Sequence, residues 1–324
     1  MATPDIPLVD ISAWRTGGMA QRERLAERLD QAMRDSGFFL VSGHGIPSEL
    51  LSDIRSASKR FFALPRETKA RYRTHVGGRG WIAKGDEANS FYGVDADPTK
   101  ADLKETFTVG RKHATGDAAL DAEWFLPNVW PAEVPELAAL GGRWTEACRE
   151  LYYDLLDMLA TALRLPEHFF RDRAQNSPHT FNINRYPAMD EVGAAQDGQF
   201  RVGPHTDWGM LTILDRQPGY GGLQVQTLDG EWADAPYVEG AYTINIADML
   251  ARWTGDRWRS TRHRVLPPPA DAPTEELISL IMFMEADMDQ IVEPFAPPVG
   301  GGTCYEPVLA ADYFTQRARA ATVA

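Results

Sequence analysis

The residues best placed to do chemistry are His205 and Asp207, two positions apart in GPHTDWG, and His263 in STRHRV. Residues two apart in a strand project to the same face, so His205 and Asp207 can reach one ion together. His263 follows after several strand-like segments, and a rolled sheet can bring it to the same point. Two imidazoles and one carboxylate on a six-coordinate metal leave three positions open, which suits iron(II) and dioxygen chemistry. The bland alternative is an Asp orienting a surface His. A structural metal site is a further alternative, but such sites fill their shell with protein ligands, and only three are found here. His44, His75, His113, His168 and His179 lack a carboxylate two residues on.

Elements to position these groups can be read on both sides of them. Ile6 to Val9, interrupted by a Pro, suggests an edge strand. Leu25, Leu29 and Met33 recur at four-residue steps and predict an amphipathic helix over 21–34. Phe38 to Val41 reads as a buried strand stopped by the GHG turn, and Ser48 to Phe62 as a helix. The stretch 75–113, rich in Gly, Asp and Asn, is expected to be loop with short strands. The helix pattern is clearest over 143–163, where Leu151, Leu155, Leu159 and Leu163 form one stripe, widened by Tyr152 and Leu156, that reads as core. From Thr180 the texture changes to short strands with turns between them: FNINRYP, RVGPHTDWGMLTIL, GGLQVQ, AYTINIA, HRVLPPP and LISLIMFM. That spacing predicts an all-β sandwich or barrel. The class is therefore α+β, mainly β, with helices first, then the β-rich half, then a Pro/Gly-rich tail, all in one unit.

Composition narrows the function. A net charge of −13 argues against a nucleic-acid partner, which would need clustered Lys and Arg. The only two cysteines, Cys148 and Cys304, cannot form a disulfide framework or a thiolate zinc site. The N-terminal segment has no signal-peptide pattern, and no apolar run is long enough to span a membrane. A cytoplasmic enzyme, monomeric or weakly self-associating, is expected.

Further motifs surround the candidate ligands. DSGFFLVSGHGIP (35–47), FFALPRETKARY (61–72), DLKETFTVG (102–110), Asn184 and Tyr186 in NRYP, GGLQV and INIADML accompany them in order along nearly the whole chain. In these motifs the chain closely resembles the isopenicillin N synthase-like branch of the Fe(II)/2-oxoglutarate-dependent dioxygenases. The resemblance implies a double-stranded β-helix (jelly-roll) core flanked by N-terminal helices. Within the single unit it implies an N-terminal oxygenase region (1–115), a β-core (178–290) and a C-terminal tail (291–324). It also implies Fe(II) held by His205, Asp207 and His263, the catalytic centre, and 2-oxoglutarate met by Tyr186, Ser279 and Asn184. A small secondary metabolite or amino-acid-like compound, with O2, is the implied substrate. At other matching positions, His44, Gly203, Pro204, Asn245 and Asp248 are read as structural, the last two satisfying buried backbone groups. Trp208, Met210 and Leu211 are core or cavity wall.

One position departs from the family. Members that use 2-oxoglutarate usually carry Arg-x-Ser on a late strand, both residues holding the distal carboxylate. Here the segment reads Leu277-Ile278-Ser279. Losing one partner of a buried ion pair costs about 3–5 kcal/mol, and a neutral hydrogen bond returns roughly 0.5–1.5. Arg185, Arg262 and Arg264 have the wrong strand parity to substitute; Arg201 shares parity with His205, although Gly203-Pro204 can break that strand. Two readings stand open. Either the enzyme uses 2-oxoglutarate and another cation replaces the arginine, giving hydroxylation, desaturation or ring closure. Or it is an isopenicillin N synthase-type oxidase whose substrate itself ligates iron. Glu285, in the same-parity row as Ser279, would add negative charge to the cavity and favour a substrate amine.

Overall fold

Two facing sheets and one long leucine-striped helix set the position of every candidate residue. The computed structural model describes residues 5–87 and 100–321. Its strands are β1 (Leu8–Asp10), β2 (Phe38–Ser42), β3 (Gly80–Ile82), β4 (Glu105–Gly110), β5 (His179–Tyr186), β6 (Val202–His205), β7 (Leu211–Asp215), β8 (Leu223–Gln226), β9 (Trp232–Asp234), β10 (Tyr242–Ile246), β11 (His263–Val265), β12 (Leu277–Met284), β13 (Ile291–Val292) and β14 (Val308–Leu309). The α-helices are α1 (Ser12–Thr16), α2 (Met19–Asp35), α3 (Ser48–Phe62), α4 (Arg66–Ala70), α5 (Ala118–Trp124), α6 (Glu136–Ala162), α7 (Met189–Val192), α8 (Asp248–Trp253) and α9 (Ala310–Ala321).

Eight strands form one sheet in the order β1-β2-β10-β7-β12-β5-β4-β3, and four form a second in the order β6-β11-β8-β9. Neighbours run antiparallel except β1 with β2. Alternation along the strands decides what each face does. On β5 and β12, Phe181, Ile183, Ile278, Leu280 and Met282 face the helical layer and are fully buried. Asn182, Asn184, Tyr186, Leu277, Ser279 and Ile281 face the other way, into a cavity also lined by His205, Leu223 and His263 of the smaller sheet. This is the jelly-roll core with N-terminal helices that the resemblance implied.

Helix α6 closes the outer face. Leu151, Leu155 and Leu159 are fully buried, and Trp144 meets Phe181 with ring centroids 4.5 Å apart. Each such side chain stabilises by roughly 1.5–3 kcal/mol on burial. The helix begins at Glu136, ahead of the stripe read from Arg143, because Gly141 and Gly142 weaken the pattern there. Gly141 has a packing reason: a Cβ would lie 3.0 Å from the Trp130 ring.

Other expectations hold with small shifts. The edge strand is β1, and the short strands within 75–113 are β3 and β4; residues 88–99 of that stretch lie outside the described residues. Polar β4 is buried throughout because Glu105 is matched by Lys69 at 2.7 Å and Arg185 at 2.9 Å. The C-terminal tail is more ordered than its composition suggests. Strands β13 and β14 pair, and α9 brings Phe314 to the cavity.

Candidate metal centre and its cavity

Strand pairing, not sequence proximity, brings the third residue in. His263 sits opposite His205 in the β6–β11 register, and their ring centroids are 4.2 Å apart. Asp207 Oδ1 lies 3.5 Å from His205 Nε2 and 3.8 Å from His263 Nε2. One donor atom from each residue falls within 4.8 Å of the others. Donors held about 2.1 Å from a shared ion sit at such separations.

The surroundings orient all three. His205 Nδ1–H donates to the Gly203 carbonyl at 2.8 Å and His263 Nδ1–H to the Thr261 carbonyl at 3.1 Å. Each bond leaves the Nε2 lone pair for a metal. Asp207 Oδ2 accepts from the Thr212 hydroxyl at 2.5 Å and from Asn245 Nδ2 at 2.7 Å, so Oδ1 faces the imidazoles. Burial opposes ionisation of Asp207, yet the two imidazoles and these hydrogen bonds hold it well below the usual carboxylate range. Burial, reinforced by neighbouring His205, pushes His263 down to about 4. For His205 burial works downward, but the bond and charge of Asp207 outweigh it and raise the imidazole. An ionised carboxylate with an unprotonated Nε2 is the donor chemistry that a divalent ion requires, so these residues fit iron(II).

The centre opens onto a cavity of about 310 Å³. The expected co-substrate residues come together on its wall: Leu277 is opposite Tyr186 and Ser279 opposite Asn184. The Tyr186 hydroxyl meets Asn184 Nδ2 at 3.4 Å and the Ser279 side chain. Glu285 also lines the cavity, with Oε2 buried and without a hydrogen-bond partner among the described residues. Its burial, reinforced by Asp207, pushes its carboxyl well above the usual range.

Two assignments change. Asn245 does not serve backbone groups but grips the Asp207 carboxylate. Asp248 accepts from the Thr206 hydroxyl at 3.1 Å and pairs with Arg317 of α9. His44 is structural as expected, stacked on Tyr242 at 4.2 Å and bonded to the Gly240 carbonyl at 2.9 Å. Met210 is core, whereas Trp208 and Leu211 reach the cavity.

Among the cations weighed as substitutes for an arginine at 277, Arg185 pairs with Glu105, Glu191 and Glu276. Arg264 lies over Phe200 and Trp232, and Arg201 pairs with Glu275. Three cations that do line the cavity, Arg79, Lys104 and Arg216, went unnoticed in the sequence. Strand parity could have found Arg216, which continues the row Thr212, Leu214.

Comparison with known proteins identifies the family. Residues 6–133 match the profile of the non-haem dioxygenase in morphine synthesis N-terminal region, and residues 178–285 that of the 2OG-Fe(II) oxygenase superfamily. The chain is 43% identical over 303 residues to validamycin A dioxygenase of Streptomyces hygroscopicus subsp. limoneus, covering 93% of this chain and 82% of that one. It is 32% identical over 301 residues to homoarginine-6-hydroxylase 2-ODD-C23 of Glycine max, covering 89% and 88%. Among solved structures, a full-length Neurospora crassa protein in complex with 2-oxoglutarate and thymine superimposes with a TM-score of 0.83 at 25% identity, covering 98% and 97%. A 2OG-Fe(II) oxygenase family protein from Caulobacter crescentus gives 0.84 at 28%, covering 98% and 99%. The chain belongs to the 2OG-Fe(II) oxygenase superfamily, in its isopenicillin N synthase-like branch. It is an oxidoreductase that uses iron(II), 2-oxoglutarate and O2 on a small molecule, which decides between the two readings left open by Leu277.

Proposed function

We propose that iron(II) is held by His205 Nε2, Asp207 Oδ1 and His263 Nε2, and that Tyr186, Asn184 and Ser279 meet 2-oxoglutarate. The carrying observation is the convergence of three oriented donors at one cavity whose wall bears those polar groups. Iron(II), 2-oxoglutarate and O2 together supply the oxidation of a substrate C–H bond, with succinate and carbon dioxide as co-products. The chain's part is to position and to dry the site. Phe38, Leu214, Ile281 and Phe283 present apolar walls that exclude water. Thr212 and Asn245 fix the carboxylate, and two backbone carbonyls fix the imidazoles.

The substrate side is read as the Glu285 end of the cavity, beside α9. A buried carboxyl with an unpartnered oxygen suits a ligand that donates from a hydroxyl or an ammonium group. Validamycin A is the first compound to test, because a relative with 43% identity is named for acting on it. Hydroxylation, desaturation and cyclisation are the outcomes to distinguish. The regions 1–115, 178–290 and 291–324 are read as parts of one unit. The protein is read as cytoplasmic and as monomeric or weakly self-associating, its net charge of −13 disfavouring nucleic acid. No described helix is long and apolar enough to cross a membrane.

The test is anaerobic reconstitution with Fe(II), titration of 2-oxoglutarate against the visible charge-transfer band, and then succinate measurement with validamycin A and O2. A saturable band that is lost in Asp207→Ala supports the ligand and co-substrate assignments. A band that persists in Asp207→Ala refutes the ligand set.

A further inference from the structure

2-Oxoglutarate carries a second carboxylate, and burying it calls for a cation. Leu277, 6% exposed and facing the cavity, supplies none. Three cations act on the Tyr186 hydroxyl beside it: Lys104, Arg201 and Arg216. Lys104 Nζ is neutralised by Glu87, with the Thr106 hydroxyl at 3.2 Å. Arg201, 0% exposed, is neutralised by Glu275 Oε1 at 2.9 Å and also donates to the Glu275 carbonyl. Arg216 has no ion-pair partner among the described residues. Its Nη1 donates to the carbonyls of Pro236 at 2.8 Å and Ala235 at 3.4 Å, and its guanidinium lies 5.5 Å from the Tyr237 ring centre. Carbonyls and a ring face fix a guanidinium without cancelling its charge. Asp234 acts on it only at longer range.

Its position follows from strand geometry. Thr212, Leu214 and Arg216 form one same-face row, and all three line the cavity. Thr212 is bonded to the ligand Asp207, so the row runs away from the metal centre by about 13 Å between its ends. In the β7–β12 register Ile281 is opposite Leu214 and Leu280 opposite Asp215. Continued by one residue, this places Arg216 opposite Ser279, whose other neighbour is Asn184. Gln217 Oε1 accepts from the Ile278 N–H at 2.9 Å and holds the segment after β7 against β12. An arginine at 277 would bring a second guanidinium into the same space, so Leu277 and Arg216 complement each other.

We propose that Arg216 binds the distal carboxylate of 2-oxoglutarate, with the Ser279 and Tyr186 hydroxyls, supplying from β7 the guanidinium that β12 lacks. The inference rests on 2-oxoglutarate being the co-substrate, and the test separates the two. The full chain is loaded anaerobically with Fe(II) and titrated with 2-oxoglutarate and, separately, with 2-oxobutyrate, which chelates alike but has no distal carboxylate. Both dissociation constants are read from the charge-transfer band, with circular dichroism as the check on folding. Arg216→Leu is expected to weaken 2-oxoglutarate by about 100-fold and leave 2-oxobutyrate unchanged. Arg216→Lys is expected to keep part of the affinity, and adding Leu277→Arg to Arg216→Leu to restore it. Unchanged 2-oxoglutarate binding, an equal loss for both keto acids, or a selective loss in Lys104→Met would each overturn the proposal. No band with 2-oxoglutarate in the unsubstituted, iron-loaded protein would instead overturn the co-substrate reading on which it rests.

Discussion

Asn245 and Thr212 stand opposite each other across the β10–β7 pair, and both donate to the same oxygen of Asp207. A cross-strand pair thus grips Oδ2 at 2.7 and 2.5 Å, while Oδ1 is left facing His205 and His263. The geometry of the proposed metal centre is therefore set partly from the larger sheet, although two of its three candidate donors belong to the smaller one. Asn245→Leu is expected to weaken divalent-metal binding by about 10–100-fold with an unchanged far-ultraviolet spectrum. Equal metal affinity in the variant would mean that the amide does not position the carboxylate.

Buried His179, which is not among the three candidate metal donors, gives folding stability a pH dependence. Burial pushes His179 well below its ordinary value, and the charges of Arg149, Arg111 and Arg79 add to this. Its Nδ1 accepts from Arg149 at 2.9 Å, so the folded ring stays neutral. The unfolded ring takes up a proton below about pH 6.5, and the folded one does not until far lower pH. Stability is thus complete above that value and falls with pH below it, by up to about 1.4 kcal/mol per unit. Urea unfolding at pH 7, 6 and 5 should show this slope, reduced by one proton's worth in His179→Gln. An unaltered slope would exclude His179 as its source.

How much of this was legible follows from range. Ser48–Phe62 could be read from local periodicity, whereas Asp207 lies two residues past the end of β6 at His205, so the strand period alone does not account for their approach. The approach of His263 depends on the β6–β11 register, which only the folded sheet sets. Arg216 lies one residue past the end of β7, and parity with Thr212 and Leu214 was the one local signal that could have marked it. Arg201 had the right parity, but its neutralisation by Glu275 is a contact between distant segments. Likewise, nothing in the Pro/Gly-rich tail announced that α9 would bring Phe314 to the cavity.

Arg201 and Arg216 should therefore respond in opposite ways. Arg201 is sealed in and, among the described residues, its Nε has no partner and Glu275 is its one carboxylate, with Oε2 accepting from the Tyr220 N–H at 2.6 Å. Glu275→Ala strands a buried guanidinium and is expected to cost about 3 kcal/mol of folding stability. The affinity of the folded protein for 2-oxoglutarate should stay within about threefold, since Arg201 does not line the cavity. Chemical denaturation and the keto-acid titration check the two halves separately. A large loss of affinity with stability intact would reverse the roles given to the two arginines.

Glu285 sets function against stability in one side chain. Its Oε2 is buried without a partner, and it approaches Gly209 so closely that a Cβ there would lie 2.0 Å from that oxygen and 2.7 Å from the Met284 carbonyl. Leaving a polar group unsatisfied costs roughly 1–3 kcal/mol, and a same-sized apolar group removes that cost. Glu285→Leu is expected to raise the thermal midpoint while iron and 2-oxoglutarate bind as before. The substrate KM should rise at least about tenfold, because a ligand hydroxyl or ammonium loses its acceptor. Gly209→Ala meets backbone as well as side chain and should destabilise by about 1–3 kcal/mol. A Glu285→Leu protein that is more stable and equally active would show that the carboxyl faces the cavity without touching substrate.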